Sequence, residues 1–227
     1  PGVAAPCLEI KDDPKKSFTY TARSHLVAVI TDGSAALGLG NIGAEASMPV
    51  MEGKCVLFKA LGNVDAIPLA LNTQDTDELV ETIARLEPSF GGINLEDIAA
   101  PRCFEIERRL QERMNIPVFH DDQHGTAIVV SSALVNALRF VKKDDPTIVI
   151  NGAGSAGCAI ANLILEMKIG KVILCDKDGI LSEEMNLSDE QRRLMSISNP
   201  EHKKGKLADA LAGADVFIGV SAGHIVT

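Results

Sequence analysis

Residues Phe90 to Ala127 read FGGINLEDIAAPRCFEIERRLQERMNIPVFHDDQHGTA, and this stretch decides the fold. Two pairs of adjacent carboxylates, Glu96-Asp97 and Asp121-Asp122, each follow a short apolar run, GGINL and then IPVF. Between them, Pro101 and CFEIERRLQERM mark a helix. The spacing is that of one strand-helix-strand unit, whose strands run parallel, so both acidic pairs fall at the carboxyl-terminal edge of one sheet, where α/β proteins place ligands. Neighbouring residues on a regular element point apart, so each pair is expected in an irregular turn. Four acids on one rim repel one another, and a divalent cation relieves this; all-oxygen ligands favour Mg2+ or Mn2+. The competing reading makes the acids helix caps or first-turn residues that complement the helix dipole.

Composition narrows the class. The 227 residues are 46% hydrophobic, enough for a substantial core. Lys and Arg total 22 against 31 Asp and Glu, a net charge of −9, which argues against nucleic-acid and anionic-membrane partners. Five cysteines, Cys7, Cys55, Cys103, Cys158 and Cys175, are scattered without a CxxC and read as small core residues of a reduced, cytoplasmic protein. No uninterrupted apolar run reaches the length of a membrane span, and no signal peptide is visible. The chain opens at Pro1 and closes just after a strand-like run, so an internal piece of a longer protein is expected.

Towards the amino terminus, HLVAVIT (His25 to Thr31) is a buried-strand signal followed by Asp32-Gly33 and LGLGNIG. Gly38, Gly40 and Gly43 spell G-x-G-x-x-G, but Pro49 interrupts a helix start and Asp65 lies at the wrong end of the next strand. A tight backbone turn is expected there rather than a dinucleotide loop. In the helix PVMEGKCVLFKAL, Lys54 shares a stripe with Val50, Leu57, Phe58 and Leu61. A partly buried lysine loses the water that favours its charged form and can act as a base, unless a carboxylate opposes this; the alternative is a lysine snorkelling from a helix edge. TDELVETIARLEP reads as an amphipathic helix, and Tyr20, the single tyrosine, as a packing aromatic.

Gln123 to Val141 reads as a long apolar helix through the middle of the protein, and the polar VKKDDP after it marks a boundary between residues 1–141 and 142–227. Beyond it, TIVINGAGSAGCAIANLILEMKIGKVILCDKDG gives strand, glycine loop, helix, strand and acid. Gly152 serves the turn, Gly154, with Ser155 and Ala156, lets a pyrophosphate approach a helix start, and Gly157 lets helix and strand pack closely. Asp176 is placed to accept from a ribose hydroxyl, which favours NAD over NADP, although Lys177 offsets that preference. Residues Ile180 to Lys206 read as charged and loop-rich; a helix and a third parallel strand follow, ending at Ser221-Ala222-Gly223, small residues suited to a flat cofactor ring. The fold class is therefore α/β: an amino-terminal α/β domain, then a Rossmann-type NAD(P)-binding domain whose carboxyl-terminal part is expected to be missing.

Taken together, PGVAAPCLEI, VITDGSAALGLGNIG, MEGKCVLFKALG, FGGINLEDI, IPVFHDDQHGTA, NGAGSAG and IGVSAG resemble the malic enzymes of the compact prokaryotic type, almost end to end and in order. The resemblance implies oxidative decarboxylation of L-malate to pyruvate and CO2 with NAD(P) and Mg2+ or Mn2+, and a homodimer. It implies Glu96, Asp97 and Asp122 as metal ligands, Lys54 as general base and Asp121 as an acid near that lysine. The family's proton-donating tyrosine lies upstream of the PGVA segment and its later Asn-Pro segment lies beyond Thr227; Ala35 stands where eukaryotic relatives carry a substrate arginine. Two other readings stay open: a metal-dependent 2-hydroxy-acid dehydrogenase that does not decarboxylate, and a non-catalytic NAD-binding module.

Overall fold

The computed structural model describes residues 2–36, 38–221, 223 and 225, and the chain divides into two compact units, Pro1–His120 and Asp121–Thr227. The first contains α1 (Ala4–Asp12), α2 (Ser17–Tyr20), β1 (Leu26–Thr31), α3 (Ala44–Gly62), β2 (Asp65–Ala70), α4 (Thr76–Ala84), β3 (Gly92–Leu95), α5 (Arg102–Arg113) and β4 (Val118–His120). Its sheet is wholly parallel in the order β2-β1-β3-β4. The strand-helix-strand unit read from Phe90 onward is β3-α5-β4, with Leu95 registered against His120.

A parallel strand covered on both faces must be apolar throughout, and β1 is: Ala28, Val29 and Ile30 are all fully buried. Leu79 and Ile83 of α4, and Cys103, Ile106 and Leu110 of α5, pack with Ala28, Ile30, Ile93, Leu95 and Val118 into one core. Each Leu, Ile and Val among them contributes about 1.5–3 kcal/mol through burial. On the outer side, the Glu81 carboxylate of α4 receives Arg113 of α5 and Arg85, which holds it down at about 2.

The second unit contains α6 (Asp121–Val141), β5 (Thr147–Asn151), α7 (Ser155–Glu166), β6 (Lys171–Asp176), β7 (Gly179–Ile180), α8 (Asp189–Ile197), α9 (Leu207–Leu211) and β8 (Val216–Gly219). The sheet order is β7-β6-β5-β8, with β7 antiparallel to β6 and the other pairs parallel. The third parallel strand therefore lies on the opposite side of β5 from β6, which makes the β5-β8 crevice a topological switch point.

Several local expectations change. The loop-rich reading of residues 180–206 misses α8, although Ser188 and Gln191 form a capping box whose S-x-x-Q signature is visible in the sequence. It also misses β7, a strand of two residues. The compact units part at the start of α6, whereas the polar break chosen from sequence falls at its end; α6 packs against α7. Nor does α6 run buried through a core. Its buried stripe is Gln123, Ala127, Ser131 and Leu134, while Ile128, Val129, Phe140 and Val141 are exposed. Among the described residues α6 is the only helix whose length and mean hydropathy suffice to cross a membrane.

All five cysteines are free, and Cys103, Cys158 and Cys175 are buried. Burial pushes the Cys158 thiol up to about 12 and the Cys175 thiol up to about 11, far above the ordinary value near 8.5, and the thiolate is the reactive form. Alkylation of the native protein at mildly alkaline pH should therefore label exposed Cys7 and spare Cys158 and Cys175 until denaturant is added. Peptide mass mapping before and after unfolding checks this.

Candidate functional site

Parallel pairing brings the carboxyl ends of β1, β3 and β4 to one edge of the first sheet, and each strand is followed there by an acid: Asp32, Glu96 and Asp121. Glu96 and Asp97 leave β3 as irregular chain, as expected, and both are nearly buried, at 5% and 3% exposure. One carboxylate oxygen of Glu96 lies within 4.8 Å of one of Asp97. Asp97 holds φ +56, a left-handed conformation uncommon outside glycine that Asp adopts more readily than most residues. The Asn94 side chain donates to Glu96 Oε2 at 2.9 Å, and Lys54 Nζ stands 3.3 Å from Glu96 Oε1.

The second acidic pair differs from expectation. No loop separates β4 from α6, so Asp121 and Asp122 are the first two residues of a helix rather than part of a turn. Carboxylates in a first turn complement the helix dipole, which is why the chain can pass directly from strand to helix at two adjacent acids. Two residues of chain reach no farther than about 7 Å, so the covalent chain starts Asp122 from the rim on which His120 ends.

Lys54 belongs to the buried side of α3, but the stripe that defines this side is not the one read from sequence. Ser47 and Met51 are buried and Lys54, Cys55 and Phe58 are half-buried, whereas Val50, Leu57 and Leu61 face outward at 42%, 51% and 83% exposure. Hydrophobicity alone misplaces the face because the outward side of α3 is also apolar. The carboxylate left open by the sequence reading is Glu96. Pro49 lies inside α3, which begins at Ala44 directly after Gly43, so this proline does not mark a helix start. The reading of the first glycine cluster as a tight turn holds. Gly33, at φ +68, receives Ile42 N at 3.0 Å and Gly43 N at 3.1 Å on its carbonyl, and a Cβ there would stand 2.1 Å from Gly43 O. Tyr20 is 51% exposed on α2 rather than packed in a core.

In the second unit the glycine loop has the geometry a dinucleotide needs. Gly152 takes φ +109, and its Cβ would meet Val220 O at 2.8 Å; a Cβ on Gly157 would lie 1.8 Å from Gly152 O. Gly154, by contrast, has nothing within 4 Å of its Cβ position, which leaves open space over the start of α7, where Ser155 and Ala156 present backbone N–H groups that no side chain caps. Asp176 ends β6, and its Oδ1 accepts from Lys177 N at 2.9 Å. Asn151 Nδ2 donates to Ser221 Oγ at 3.0 Å across the β5-β8 crevice. Asn151, Gly152, Asp176, Lys206 and Ser221 line a cavity of about 440 Å³. Ala222 lies outside the described residues. Sequence reading missed Gln191, whose Nε2 donates to Ala153 O inside the loop at 2.8 Å, and it missed Asn94, Ser34 and Arg102 on the first rim.

The family model described as malic enzyme, N-terminal domain, matches residues 1–76 and 72–111, and the one described as malic enzyme, NAD binding domain, matches residues 123–226. The chain is 52% identical over its whole length to a bifunctional malic/malolactic enzyme of Bacillus subtilis and covers 56% of that protein. It is 49% identical to an NADP-dependent malic enzyme of Escherichia coli, of which it covers 30%. The crystal structure of an NAD-dependent malic enzyme from Thermotoga maritima superposes on all of it with a TM-score of 0.96 at 49% identity, the chain covering 62% of that structure. The chain thus spans between about a third and about three fifths of the length of these relatives.

Proposed function

Because the chain belongs to the malic enzyme family, we propose that it carries the chemistry of oxidative malate decarboxylation: L-malate to pyruvate and CO2, with NAD or NADP reduced. The observation that carries this reading is the buried Glu96-Asp97 turn with Lys54 against it, at the ligand-binding edge of a parallel sheet.

In this reading Glu96, Asp97 and Asp122 hold Mg2+ or Mn2+. Two buried carboxylates this close fit a hard cation, since like charges out of water need a counter-charge. Gly152, Gly154, Ser155, Ala156 and Gly157 cradle the dinucleotide phosphates, Asp176 takes the ribose and Ser221 borders the ring; the open space at Gly154 fits that group. A bound ion would supply polarisation of the C2 oxygen of malate, and a bound nicotinamide would supply the acceptor for the C2 hydride.

The residues of the chain do the rest. Lys54 Nζ takes the C2 hydroxyl proton, with Glu96 Oε1 orienting it at 3.3 Å and Asp121 as an acid near that lysine. Loss of the hydride leaves a 2-keto diacid, whose carboxylate next to C3 departs as CO2 while its bonding electrons pass into the C2 carbonyl. The enolate then takes up one proton at C3, balancing the one given up by the C2 hydroxyl, and pyruvate results. The burial of Glu96 and Asp97 keeps water from the acids and strengthens each charge interaction at the rim.

In this account the unit that ends at His120, with Asp121 and Asp122 next in the chain, carries the metal and substrate chemistry, and the nucleotide site lies within residues 142–227. A homodimer is consistent with the exposed Val56, Leu57 and Leu61 of α3, and a cytoplasmic setting with five free cysteines.

Mn2+ titration tests the ligand assignment. Asp122→Ala and Asp97→Asn should each weaken Mn2+ binding by roughly 100-fold or more, since each removes one of three charged ligands from a preformed site. Unchanged Mn2+ affinity in folded Asp122→Ala would remove that residue from the ligand set and favour a nucleotide-binding module.

A further inference from the structure

We propose that Asp32, Ser34 and Arg102 form a clamp that positions the Glu96-Asp97 turn for metal binding, without themselves touching the metal; this rests on the metal reading given above. All three lie in the first unit, next to the Glu96-Asp97 turn, and none is among the residues assigned to metal, substrate or coenzyme.

Asp32 is the first residue past β1, and its side chain is fully buried. Its Oδ1 accepts from Ser34 N at 3.0 Å and from Ser34 Oγ at 2.6 Å, and its Oδ2 accepts from Arg102 Nη2 at 2.8 Å. Ser34 Oγ also accepts from Arg102 Nη2 at 3.0 Å and from the backbone Ala99 N at 2.9 Å. The hydroxyl thus donates once and accepts twice, which uses its whole hydrogen-bonding capacity. Arg102 Nη1 closes the far side on Gln74 O at 2.7 Å.

The acidic turn is tied at three points beside this cluster, two of them backbone bonds and one to the Ser34 hydroxyl. Glu96 N donates to Ile30 O at 2.9 Å, Ala35 N donates to Asp97 O at 2.9 Å, and Ala99 N ends on Ser34 Oγ. Arg102, the first residue of α5, anchors the chain where the turn ends. Between those fixed points Asp97 takes φ +56, the left-handed region that residues with side chains disfavour and that Asp enters more readily than most. A turn held this way relaxes to negative φ only by disturbing these tethers, one of which is the Ser34 hydroxyl. Relaxation would swing the Asp97 carboxylate off its present line and separate it from Glu96. The ion pair, buried at Asp32 and partly exposed at Arg102, therefore acts on direction: it fixes where two carboxylates point before any cation arrives, which is how outer partners tune a metal site.

The test separates positioning from mere stability. Mn2+ affinity is measured by calorimetry and by the electron-paramagnetic signal of free Mn2+, well below the thermal midpoint, on the parent, Ser34→Ala and Ser34→Thr. Ser34→Ala should weaken Mn2+ binding about 10–100-fold with native circular dichroism, and Ser34→Thr, which keeps the hydroxyl, should stay much nearer the parent. Asp32→Asn and Arg102→Lys, read the same way, carry the test should Ser34→Ala not fold, and each should lose affinity by a similar factor. Parental Mn2+ affinity in folded Ser34→Ala and Asp32→Asn would overturn the clamp while leaving the metal site standing. Equal loss in Ser34→Ala and Ser34→Thr would also overturn it, because the hydroxyl would then not be the operative group. A parent protein that binds no Mn2+ would overturn the clamp and the metal reading together.

Discussion

Lys54→Ala should lower kcat for malate oxidation by about 10²- to 10⁴-fold, the range that a positioned proton acceptor contributes. Lys54 has the placement for it: half-buried on the inner side of α3, with its Nζ 3.3 Å from a nearly buried Glu96 carboxylate that favours the charged amine, so that a cation held by Glu96 would offset this carboxylate and let the amine accept a proton. Removing the amine leaves the hydroxyl proton without a partner while the ligands stay in place. Mn2+ affinity should hold or tighten, because Glu96 no longer shares its charge with a cation. Steady-state kinetics together with an Mn2+ titration of the same sample read both effects. A kcat within tenfold of the parent, in a folded variant, would remove Lys54 from the proton path.

What the sequence reveals and what it conceals follow one physical division. Periodicity is strong where burial is continuous, so β1, β3-α5-β4 and β5-α7-β6 are legible from their apolar runs and helix signals alone. The acidic residues are legible too, since parallel connection fixes which edge of the sheet they leave from. Faces are harder. On α3 the outward side carries Val50, Leu57 and Leu61, so hydrophobicity points the stripe the wrong way, and only packing shows that Ser47 and Met51 face inward. Pro49 misleads because a proline usually bounds a helix, yet α3 accommodates it beyond the first turn. The Asp32-Ser34-Arg102 cluster is invisible for another reason: its members meet across separations such as that between Asp32 and Arg102, and no local spacing encodes such a meeting. Gln191 was within reach, because a capping box has a sequence signature.

Gly157→Ala should destabilise the second unit and disable coenzyme binding at once. Its new Cβ would stand 1.8 Å from Gly152 O, where ordinary contact begins near 3.4 Å, and both sides of the clash are backbone. Neither side can swing a side chain clear, so α7 must move away from the end of β5. Overpacking of this kind costs about 1–3 kcal/mol and sometimes more. The displacement exceeds an ångström at the helix start that receives the phosphates, and a misplacement of about 1 Å can cost on the order of 100-fold in rate. Gly154→Ala makes the contrast. Nothing lies within 4 Å of that Cβ, so stability should be retained while the added methyl fills the space through which pyrophosphate approaches. Denaturant titration and coenzyme binding on the two variants should therefore dissociate: both properties lost at Gly157, and binding alone lost at Gly154. Normal coenzyme affinity in Gly154→Ala would move the phosphate site away from this loop.

The most direct test of the central claim is malate-dependent reduction of coenzyme by the protein at its full natural length. L-Malate, Mn2+ and either NAD or NADP are supplied, the absorbance of the reduced nicotinamide is followed, and pyruvate and CO2 are assayed in the same vessel. The predicted result is reduction matched one for one by pyruvate and CO2, abolished without Mn2+ and in the Asp122→Ala variant. Reduction with a retained keto-diacid, or none at all from a folded protein that binds Mn2+ and coenzyme, would contradict it.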